Sequence, residues 1–575
     1  MNLFLDYKKK IFNTLKILEK KNIIKSTKNI KNIIIELPPK NQKGDFACNA
    51  AMVMAKINNT SPQELAKILK EQLLIKFKEF KNIEIAGPGF LNIYFHDSFW
   101  VDYLMKIIKM KNRYGINKSS KKKYNVEFVS ANPTGPLHVG HCRGAVLGDV
   151  ISNLLTFNGN KVAREYYVND HGNQIRNFVH SVYYRCVELL NKKPFPNDTN
   201  LYPGEYIIDI AKKIIKSKSI KNFDNVEKIY NKLSILSLKF SMKIITNNLN
   251  ILGIKHNNFV YESKLIKNNI VSKTIKNLEK KNFIYKGKLH PPKGEFTEDW
   301  KSRNQLLFKS TEFGDDADRP LQKNDGSWTY FASDIAYHSY KVSRKYNILI
   351  NILGADHAGY IKRISAATKA LSNNKTELIC KVSQLVKLYK NGEPFKMSKR
   401  KGDYITVEDL IHEVGKDSAR FMMLNRSSDV ELDFDFKKVT EKSKDNPVFY
   451  VQYAYARINS VFRILKLNLK SKIRINEKQI HLNDHEIEIL KKISEWPKCV
   501  EISSKKLEPH RIPFYLYELV TLFHSYWNMG KDNTEYRFIL NNKSKSNFRL
   551  VILQALALVI ENGMYILGVS TPKSM

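Results

Sequence analysis

Apolar and polar positions follow different patterns along the chain, and the changes divide it into three stretches. Residues 1 to about 115 combine helical spacing, as over residues 4–18, with the alternating string IEIAGPGFLNIYF, which predicts two strands joined by a Gly-Pro-Gly turn. A helix over residues 98–110 and the polar string KNRYGINKSSKKK follow and indicate a linker. The first stretch therefore predicts a small N-terminal α+β domain.

Strands and helices alternate in the second stretch, from residue 116 to about 440. The strand NVEFVS leads through ANPTGP into a helix over about residues 137–155, and the strand KVAREYYV and a further helix follow. Such alternation is the pattern of a parallel doubly wound sheet, whose ligands bind at the carboxyl ends of the strands. Residues from about 191 to 322 have a mainly helical, lysine-rich pattern and predict an insertion in this domain.

Amphipathic helices fill the third stretch, residues 441–575. Helical spacing recurs over about residues 448–465, 514–527 and 548–567, which predicts a C-terminal all-α helix bundle. The longest apolar run, LVILQALALVI, is too short to cross a bilayer and predicts a buried bundle helix. The first twenty residues lack the features of a secretory signal. We expect a multidomain α/β protein that is soluble and cytoplasmic, with no membrane partner.

Charge and cysteine content narrow the possible partners. The 575 residues include 96 Lys and Arg against 56 Asp and Glu, a formal net charge of +40. This excess suits a polyanionic partner, because neutralised phosphates release condensed counterions. Compositional drift toward Lys, Asn and Ile would produce the same excess, so charge alone leaves nucleic-acid binding open. The five cysteines form no CxxC pair, which favours a reducing compartment and indicates neither a zinc ribbon nor a disulfide framework.

Two histidines stand at the start of the first sheet helix, in the string NPTGPLHVGH. On a helix, His138 and His141 share one face beside the free backbone N–H groups of the first turn, which suit phosphate. Gly140 lets a ligand approach the backbone, and two imidazoles can donate hydrogen bonds to phosphoryl oxygens as their charge grows. A metal site would need further ligands, and none accompanies the pair. A purely structural histidine pair is the alternative.

A second string, PFKMSKRKGDYIT, is rich in lysine and is bracketed by Gly392 and Gly402. Lysines on a loop between glycines can close over a polyphosphate and stabilise charge on its transferring and leaving groups. Alone, such a string is usually a solvated loop.

Together, HVGH and KMSKR resemble the two signature motifs of class I aminoacyl-tRNA synthetases, which activate an amino acid with ATP and esterify tRNA. The strings VEFVSANPTGPLHVGHCRGAVLGD, REYYVNDHGNQI, GKDSARFMMLNR, NPVFYVQYAYARI and ILGVSTPKSM resemble arginyl-tRNA synthetases of the bacterial kind. The resemblance runs from about residue 44 to the end. It implies a tRNA-elbow-binding domain over residues 1–115, a Rossmann-like doubly wound parallel-sheet catalytic domain over 116–440 and an anticodon-binding helix bundle over 441–575.

The same resemblance implies roles for the two motifs. His138 and His141 are expected to stabilise the phosphoryl transition state, and Lys396 and Lys399 to clamp the β and γ phosphates, which makes these four the expected catalytic residues. The ATP-binding set adds Pro136, Gly140, Met397 and Ser398 to these four. The signature motif comprises Ala131, Asn132, Pro133, Thr134, Gly135, Pro136, Leu137, His138, Val139, Gly140 and His141.

Recognition of arginine calls for planar acceptors, ideally a carboxylate that accepts two hydrogen bonds from the guanidinium. The resemblance implies that arginine contacts Glu127, Ser130, Asn132, His138, Tyr330, Asp334 and Asp356. Glu127 ends the strand before the histidine motif and is expected at the α-amino end. Tyr330 and Asp334 are expected at the end of another sheet strand, against the guanidinium. A helix N-cap is the structural alternative for Asp334, and a half-buried strand position for Tyr330.

The expected ligands are L-arginine, ATP with Mg²⁺, and tRNA(Arg), bound by a monomer without a structural metal. Between His141 and Lys396 lie too few residues for the sheet and a large editing domain together, and arginine should need no editing, since its guanidinium is hard to imitate. Two rival hypotheses remain. One is a nucleotidylyltransferase for a smaller substrate, because HxGH occurs there also, and the other is a non-catalytic tRNA-binding relative.

Overall fold

The computed structural model describes residues 1–39, 41–117, 121–288, 304–394, 405–475 and 480–575. The chain forms two compact units. Residues Met1–Lys118 and Lys442–Met575 make up the first unit, and residues Ser119–Glu441 make up the second. Because the first and third predicted domains share one unit, the three predicted domain ranges stay predictions.

An antiparallel sheet and four helices form the N-terminal part of the first unit. These elements are α1 (Leu3–Lys20), β1 (Ile35–Glu36), β2 (Phe46–Cys48), α2 (Ala50–Met54), α3 (Pro62–Lys76), β3 (Phe80–Ala86), β4 (Phe90–Phe95) and α4 (Asp97–Met110). The strands lie in the order β1-β2-β4-β3. The predicted pair of strands is confirmed as β3 and β4. Gly89 in their turn has φ of 131°, and an added Cβ would lie 2.9 Å from the Pro62 carbonyl oxygen.

Helices and strands alternate through the second unit. Its helices are α5 (Val139–Phe157), α6 (Asn173–Asn191), α7 (Glu205–Lys216), α8 (Val226–Ile251), α9 (Glu262–Lys267), α10 (Ile270–Lys280), α11 (Tyr330–Ser343), α12 (Ile361–Ser372), α13 (Val407–Val414), α14 (Lys416–Met423) and α15 (Phe436–Thr440). Its strands are β5 (Lys123–Glu127), β6 (Lys161–Val168), β7 (Asn258–Tyr261), β8 (Ile284–Gly287), β9 (Gln305–Phe308), β10 (Arg319–Pro320), β11 (Ile348–Gly354), β12 (Glu377–Ser383), β13 (Val386–Lys390), β14 (Glu393–Pro394) and β15 (Leu432–Asp435).

Five parallel strands form the main sheet, in the order β12-β11-β5-β6-β7. The chain runs from β5 outward through β6 to β7 and then returns to β11 on the other side of β5. The winding therefore reverses between β5 and β11, and ligands of such sheets bind at this switch point, beyond the carboxyl ends of the strands. The predicted doubly wound sheet is confirmed, and with it the multidomain α/β class.

Strands interrupt the range that was predicted to be a mainly helical insertion. The helices α7 and α8 lie in this range, but β7 is the fifth strand of the main sheet. A separate antiparallel sheet in the order β10-β9-β8 lies at the end of the range. The helical prediction over about 191–322 is wrong in these places, because strands of two to four residues leave no clear alternating pattern beside long lysine-rich helices.

Five helices form most of the C-terminal part of the first unit. They are α16 (Pro447–Ile464), α17 (Asp484–Ser494), α18 (Trp496–Lys506), α19 (Arg511–Asp532) and α20 (Asn547–Leu567), and a short hairpin joins β16 (Ile539–Leu540) to β17 (Lys543–Ser544). Among the described helices, α20 is long and apolar enough to cross a membrane, but 83% of its most apolar window is buried inside the protein. It packs against α4, α16, α17 and α19, as expected for the core helix of a bundle.

Candidate active site

The backbone turns sharply between β5 and α5, at the switch point of the sheet. Val129 and Ser130 have positive φ values of 71° and 41°. Such backbone is unfavourable for a β-branched residue, and strained conformations of this kind cluster at functional sites. The Ser130 hydroxyl accepts a hydrogen bond from the Tyr167 backbone N–H at 3.0 Å and donates one to Glu127 Oε1 at 3.1 Å. Ser130 therefore ties the turn to the end of β5 and to β6.

Side chains from α6 and α7 hold the middle of the signature motif. The Asn132 amide donates to the Gln174 side-chain oxygen at 2.5 Å, and the Tyr206 hydroxyl donates to the Thr134 carbonyl at 2.9 Å. Pro136 is half-buried in the same turn. These contacts fix the approach to α5, so the histidines that follow have a defined position.

The imidazole turn, residues 138–141, forms the start of α5. His138 is the N-cap, and its Nδ1 accepts a hydrogen bond from the Gly140 backbone N–H at 3.1 Å. The Nδ1 of His141 accepts one from the His138 backbone N–H at 3.3 Å, and the two ring centroids are 3.9 Å apart. Because each Nδ1 is an acceptor, the proton of each neutral ring lies on Nε2. Both rings thus present an Nε2–H donor beside the N-terminus of a helix.

The chain that leaves the lysine motif pairs directly with the imidazole turn. The Val139 backbone N–H donates to the Ile405 carbonyl at 3.0 Å, and the Val407 N–H donates to the Leu137 carbonyl at 2.9 Å. The predicted residues of the motif itself lie outside the described residues: Lys396, Met397, Ser398 and Lys399. The described end of this segment nevertheless brings two strings that are far apart in sequence to one place.

Asp334 and Tyr330 lie on a helix, which corrects the prediction that they end a sheet strand. Thr329 caps α11 by accepting the Ala332 N–H, so Tyr330 begins the helix and Asp334 lies in its second turn. The Tyr330 side chain is 75% exposed. The N-cap alternative for Asp334 is also wrong, because Thr329 has that role. The helix begins at Tyr330 because the Thr329 hydroxyl accepts a hydrogen bond from one of its first N–H groups.

The Asp334 carboxyl is strongly perturbed by its surroundings. Burial raises its pKa to about 7, a hydrogen bond from Tyr360 opposes the shift, and the negative charges of Glu127 and Glu262 raise it further. Burial likewise raises the pKa of Glu262 to about 7, and the charge of Asp170 adds to this. Several carboxyls thus share one poorly solvated region, where a bound cation would be strongly favoured.

We name Glu127, Asp170, Glu262 and Asp334 the acidic cluster. The sequence analysis missed Glu262 and Asp170. Glu262 begins α9 immediately after β7, and Asp170 follows β6 and accepts hydrogen bonds from the Ser263 N–H and hydroxyl at 2.8 and 2.6 Å. An acidic residue directly after a parallel strand indicates a place in the ligand site, because ligands bind at the carboxyl ends of such strands. For Glu262 this signal could be used only if β7 was recognised as a strand.

Asp356 is exposed to solvent, unlike the buried and half-buried residues of the acidic cluster. It belongs to the 3-10 helix over Ala355–Tyr360 that follows β11, and its side chain is 78% exposed. Its carboxylate is 3.5 Å from His357 Nε2. The structure therefore brings Glu127, Ser130 and Asp334 into one region but leaves Asp356 on the surface.

Three family models match the chain in succession. The model named Arginyl tRNA synthetase N terminal domain matches residues 6–95, and tRNA synthetases class I (R), catalytic domain, matches residues 103–462. The DALR anticodon binding domain matches residues 451–575. The chain belongs to the arginyl-tRNA synthetase family. The family predicted from HVGH, KMSKR and the longer strings is thereby confirmed.

Relatives within the arginyl-tRNA synthetase family match over the full length. The arginine–tRNA ligase of Pelagibacter ubique is 55% identical over 577 residues, and the alignment covers 100% of both chains. That of Allorhizobium ampelinum is 43% identical over 585 residues with the same coverage. The Thermus thermophilus arginyl-tRNA synthetase structure shares the fold, with a TM-score of 0.70 and 16% identity over 99% of this chain and 100% of that chain.

Family membership gives the site its chemical context. Arginyl-tRNA synthetases of class I use ATP, and the matched catalytic range contains the imidazole turn and the acidic cluster. The chain is therefore an aminoacyl-tRNA synthetase. The rival interpretation as a nucleotidylyltransferase for a smaller substrate does not account for the matched terminal domains, and that of a non-catalytic relative does not fit the full-length ligase relatives.

Proposed function

We propose that this synthetase activates L-arginine with ATP and transfers the arginyl group to the 3′ end of tRNA(Arg). The arginine carboxylate attacks the α-phosphorus, which yields arginyl-adenylate and pyrophosphate. A hydroxyl of the terminal adenosine of tRNA then takes the acyl group, and AMP leaves. One observation carries the proposal. The imidazole turn follows β5 and pairs with the described end of the lysine segment, and the acidic cluster combines the last residue of β5 with acids that follow β6 and β7 and with Asp334 of α11.

The imidazole turn is assigned to ATP. In this proposal the Nε2–H groups of His138 and His141 donate to the phosphoryl oxygens as negative charge develops, and the dipole of α5 adds a positive potential. The expected free N–H groups of the first turn are not offered to the phosphate, because those of Val139, Gly140 and His141 already donate within the protein. Positioned donors of this kind account for most catalysis of phosphoryl-type transfer, because the protein has little covalent chemistry to perform. Lys396 and Lys399 are assigned to the β and γ phosphates, and the pairing of Ile405 with Val139 supports this assignment.

The acidic cluster is assigned to arginine. Asp334 and Glu262 are assigned to the guanidinium, and the exposed Tyr330 ring at the start of α11 is assigned to its face. Glu127, Ser130 and Asn132 are assigned to the α-amino and carboxylate end. A neutral amino acid of similar length would leave buried carboxyls without a partner, so binding alone should give strong selectivity.

Mg²⁺ is expected to arrive with ATP. Among the described residues, no group of three or more His, Cys, Asp or Glu side chains is arranged to hold a metal ion. The protein therefore offers no dedicated cage in these ranges, and we assign no step to a protein-bound metal.

The helix bundle of the first unit is proposed to bind the tRNA anticodon. Phe449 and Tyr453 of α16 stack at 5.6 Å between ring centroids, and the Arg457 guanidinium lies 4.2 Å from the Tyr453 ring. His524 of α19 stacks on Tyr453 at 5.7 Å. Phe449 and Tyr453 are half-buried, whereas Ala456 on the same helix is buried, so one helix face belongs to the core and the adjacent face offers rings for unpaired bases. The N-terminal part of the unit is proposed to contact the tRNA elbow.

The proposal is tested by ATP–pyrophosphate exchange with the purified chain, with and without tRNA. Exchange that depends on arginine and is stimulated by tRNA is the expected result, followed by formation of arginyl-tRNA. Exchange with lysine or citrulline, but not with arginine, would contradict the assignment of the acidic cluster. We further propose a cytoplasmic monomer, which size-exclusion chromatography and cell fractionation would test.

A further inference from the structure

A row of polar side chains crosses the main sheet beneath α11. In the strand register, Asn351 of β11 lies opposite Glu127 of β5, Glu127 lies opposite Glu165 of β6, and Glu165 lies opposite Asn258 of β7. Side chains at paired positions of neighbouring strands point to the same face of a sheet. Glu165 and Asn351 are buried. Buried polar groups require partners, and α11 supplies them.

Each of the two glutamates has its own cation, one from α11 and one from the C-cap of that helix. Lys341 Nζ donates to Glu127 Oε2, and it also donates to Asn351 Oδ1 at 2.9 Å. Arg344, one turn later, donates to both oxygens of Glu165, with the NH2 to Oε1 distance at 2.8 Å. The Lys341 side chain is fully buried, and a buried lysine is unusual unless its charge is paired.

The two glutamates differ in how far their side chains are exposed to solvent. Glu165 is buried and receives Arg344 in a bidentate manner, and it also accepts the Tyr337 hydroxyl at 2.7 Å. Glu127 keeps 14% of its side chain exposed, at the edge where the site lies. The Glu165 carboxylate is therefore internal to the fold, whereas the Glu127 carboxylate is partly exposed at the edge that arginine would occupy.

Hydrogen bonds connect Lys341 to the other end of the proposed arginine site. His338 Nδ1 lies 2.9 Å from the Asp334 carbonyl oxygen, and His338 Nε2 lies 3.0 Å from the Asn351 amide nitrogen. The amide N–H makes Nε2 the acceptor, so Nδ1 carries the proton and donates to the carbonyl. Burial first, and then the charge of Lys341, lowers the pKa of His338 to about 3, so the ring is neutral. The chain of contacts runs Glu127, Lys341, Asn351, His338 and Asp334.

We propose that Lys341 is a positioning residue that fixes the Glu127 carboxylate relative to Asp334, so that the α-amino and guanidinium ends of one arginine are recognised together. This inference rests on the proposed roles of Glu127 and Asp334. Lys341 is inaccessible to substrate and acts through its two acceptors. A displaced Glu127 would still leave the Asp334 carboxyl in place at the guanidinium end, so the main consequence is weaker recognition of the α-amino end of the substrate.

The decisive variant is Lys341→Met, which keeps an unbranched apolar stem of nearly the same length but removes the charge. We expect the arginine KM in tRNA-dependent exchange to rise about 10- to 100-fold, the effect of losing a hydrogen-bonded charge, with the ATP KM within about twofold of wild type. Lys341→Arg should recover part of this loss, because it restores a cation. The matched control is Arg344→Met, which removes the equivalent cation from Glu165.

A second substrate probe separates positioning from stability. The analogue 5-guanidinopentanoate is arginine without its α-amino group, and we expect it to inhibit wild type more weakly than arginine binds. In Lys341→Met the gap in affinity between arginine and the analogue should narrow, since the amino group contacts Glu127 directly, whereas the guanidinium end is affected only through the charge on Asp334. In Arg344→Met the gap should persist even though thermal stability falls. Equal losses of stability in the two variants with the gap unchanged in both would overturn the inference.

Two further variants keep the outcome interpretable. If Lys341→Met does not fold, Asn351→Val is the substitute, because it removes one of the two acceptors of Lys341. The difference in affinity between arginine and 5-guanidinopentanoate should then narrow by a smaller amount. An unchanged difference would overturn the inference. Glu127→Gln tests the proposed function instead. An unchanged arginine KM in Glu127→Gln would reject the assigned role of Glu127. A raised KM there beside an unaltered Lys341→Met would reject the role of Lys341 alone.

Discussion

The imidazole turn and the acidic cluster lie at the same end of one sheet but are built by opposite means. Hydrogen bonds within four residues orient both imidazoles of the turn, and the rings present Nε2–H donors beside a helix N-terminus. The acidic cluster gathers carboxyls from the ends of β5, β6 and β7 and from α11, where burial raises the pKa of Asp334 and Glu262 to about 7. One region is complementary to phosphate and the other to a cation.

This difference indicates which kinetic quantity each region should control. Donors aimed at developing charge act mainly in the transition state and so affect kcat. Carboxyls that pair with a charge already present in the substrate act in the ground state as well, so they affect KM. Variants in the two regions should therefore give opposite kinetic signatures.

The largest effect is expected from His141→Ala. Loss of one donor to the developing charge should lower kcat for exchange by about 10²- to 10³-fold. The arginine KM should change little, because the acidic cluster is intact. His412→Ala, which alters an exposed histidine of α13, is the control and should retain wild-type rates. Equal kcat values for His141→Ala and wild type would show that the imidazole pair is merely structural.

The next effect is expected from Asp334→Asn. The amide is nearly isosteric but carries no charge, so the guanidinium loses a charged acceptor, and the arginine KM should rise about 10- to 100-fold. The ATP KM should remain near wild type. Asp209→Asn on the exposed face of α7 is the matched control. Parallel weakening of arginine and ATP would instead assign Asp334 to the stability of the fold.

The third largest effect is expected in the pH dependence of arginine binding, which should distinguish the acidic cluster from the imidazole turn. Asp334 and Glu262 have pKa values of about 7, so both become anionic as pH rises from 6 to 8, while arginine stays cationic. The arginine KM should therefore fall about tenfold or more over this range, whereas the ATP KM should not follow it. Glu262→Gln should flatten the profile. A pH-independent arginine KM in wild type would contradict the shared acidic site.

The same carboxyls should affect the stability of the unliganded protein. In the unfolded chain they ionise near their ordinary values of 3.8 and 4.5, whereas the folded protein retains both protons up to about pH 7. The unfolded state thus binds fewer protons between these limits, and stability should fall as pH rises from about 4 to 7. Arginine should reverse the loss, since it pairs with the anions, and thermal unfolding with and without arginine measures both effects.

The contrast also explains how much could be predicted from the sequence. The imidazole turn and the alternation of strands and helices in the doubly wound sheet could be predicted, because their determinants lie within short consecutive strings. The acidic cluster was only partly readable. Glu127 was placed correctly at the end of β5, but Asp334 was assigned to a strand because SWTYF is rich in aromatic and β-branched residues. The Thr329 cap, which begins α11 early, determined the actual structure.

The environments of Glu262 and Lys341 could not be predicted from the sequence, for a different reason. Glu262 acquires its environment from β7, a strand of four residues that joins the sheet by pairing with β6. Lys341 is one of many lysines in a chain of net charge +40, and its burial depends on an acid and an amide from two strands. Contacts with partners that are distant in sequence produce no pattern in the residues around Lys341, so only the tertiary structure distinguishes this lysine from solvated ones.

The smallest predicted effect concerns the hydrogen bond from Tyr360 to Asp334, which lowers the pKa of that carboxyl. Tyr360→Phe removes the bond, so the Asp334 pKa should rise further and less of the anion should be present at pH 7. We expect the arginine KM at pH 7 to rise about 2- to 10-fold, the range for one neutral hydrogen bond, with kcat at saturating arginine unchanged. Tyr340→Phe, an exposed position on α11, is the control. Because the defect is one of ionisation, it should disappear at pH 9, and a KM defect that persists there would mean that Tyr360 contacts arginine directly.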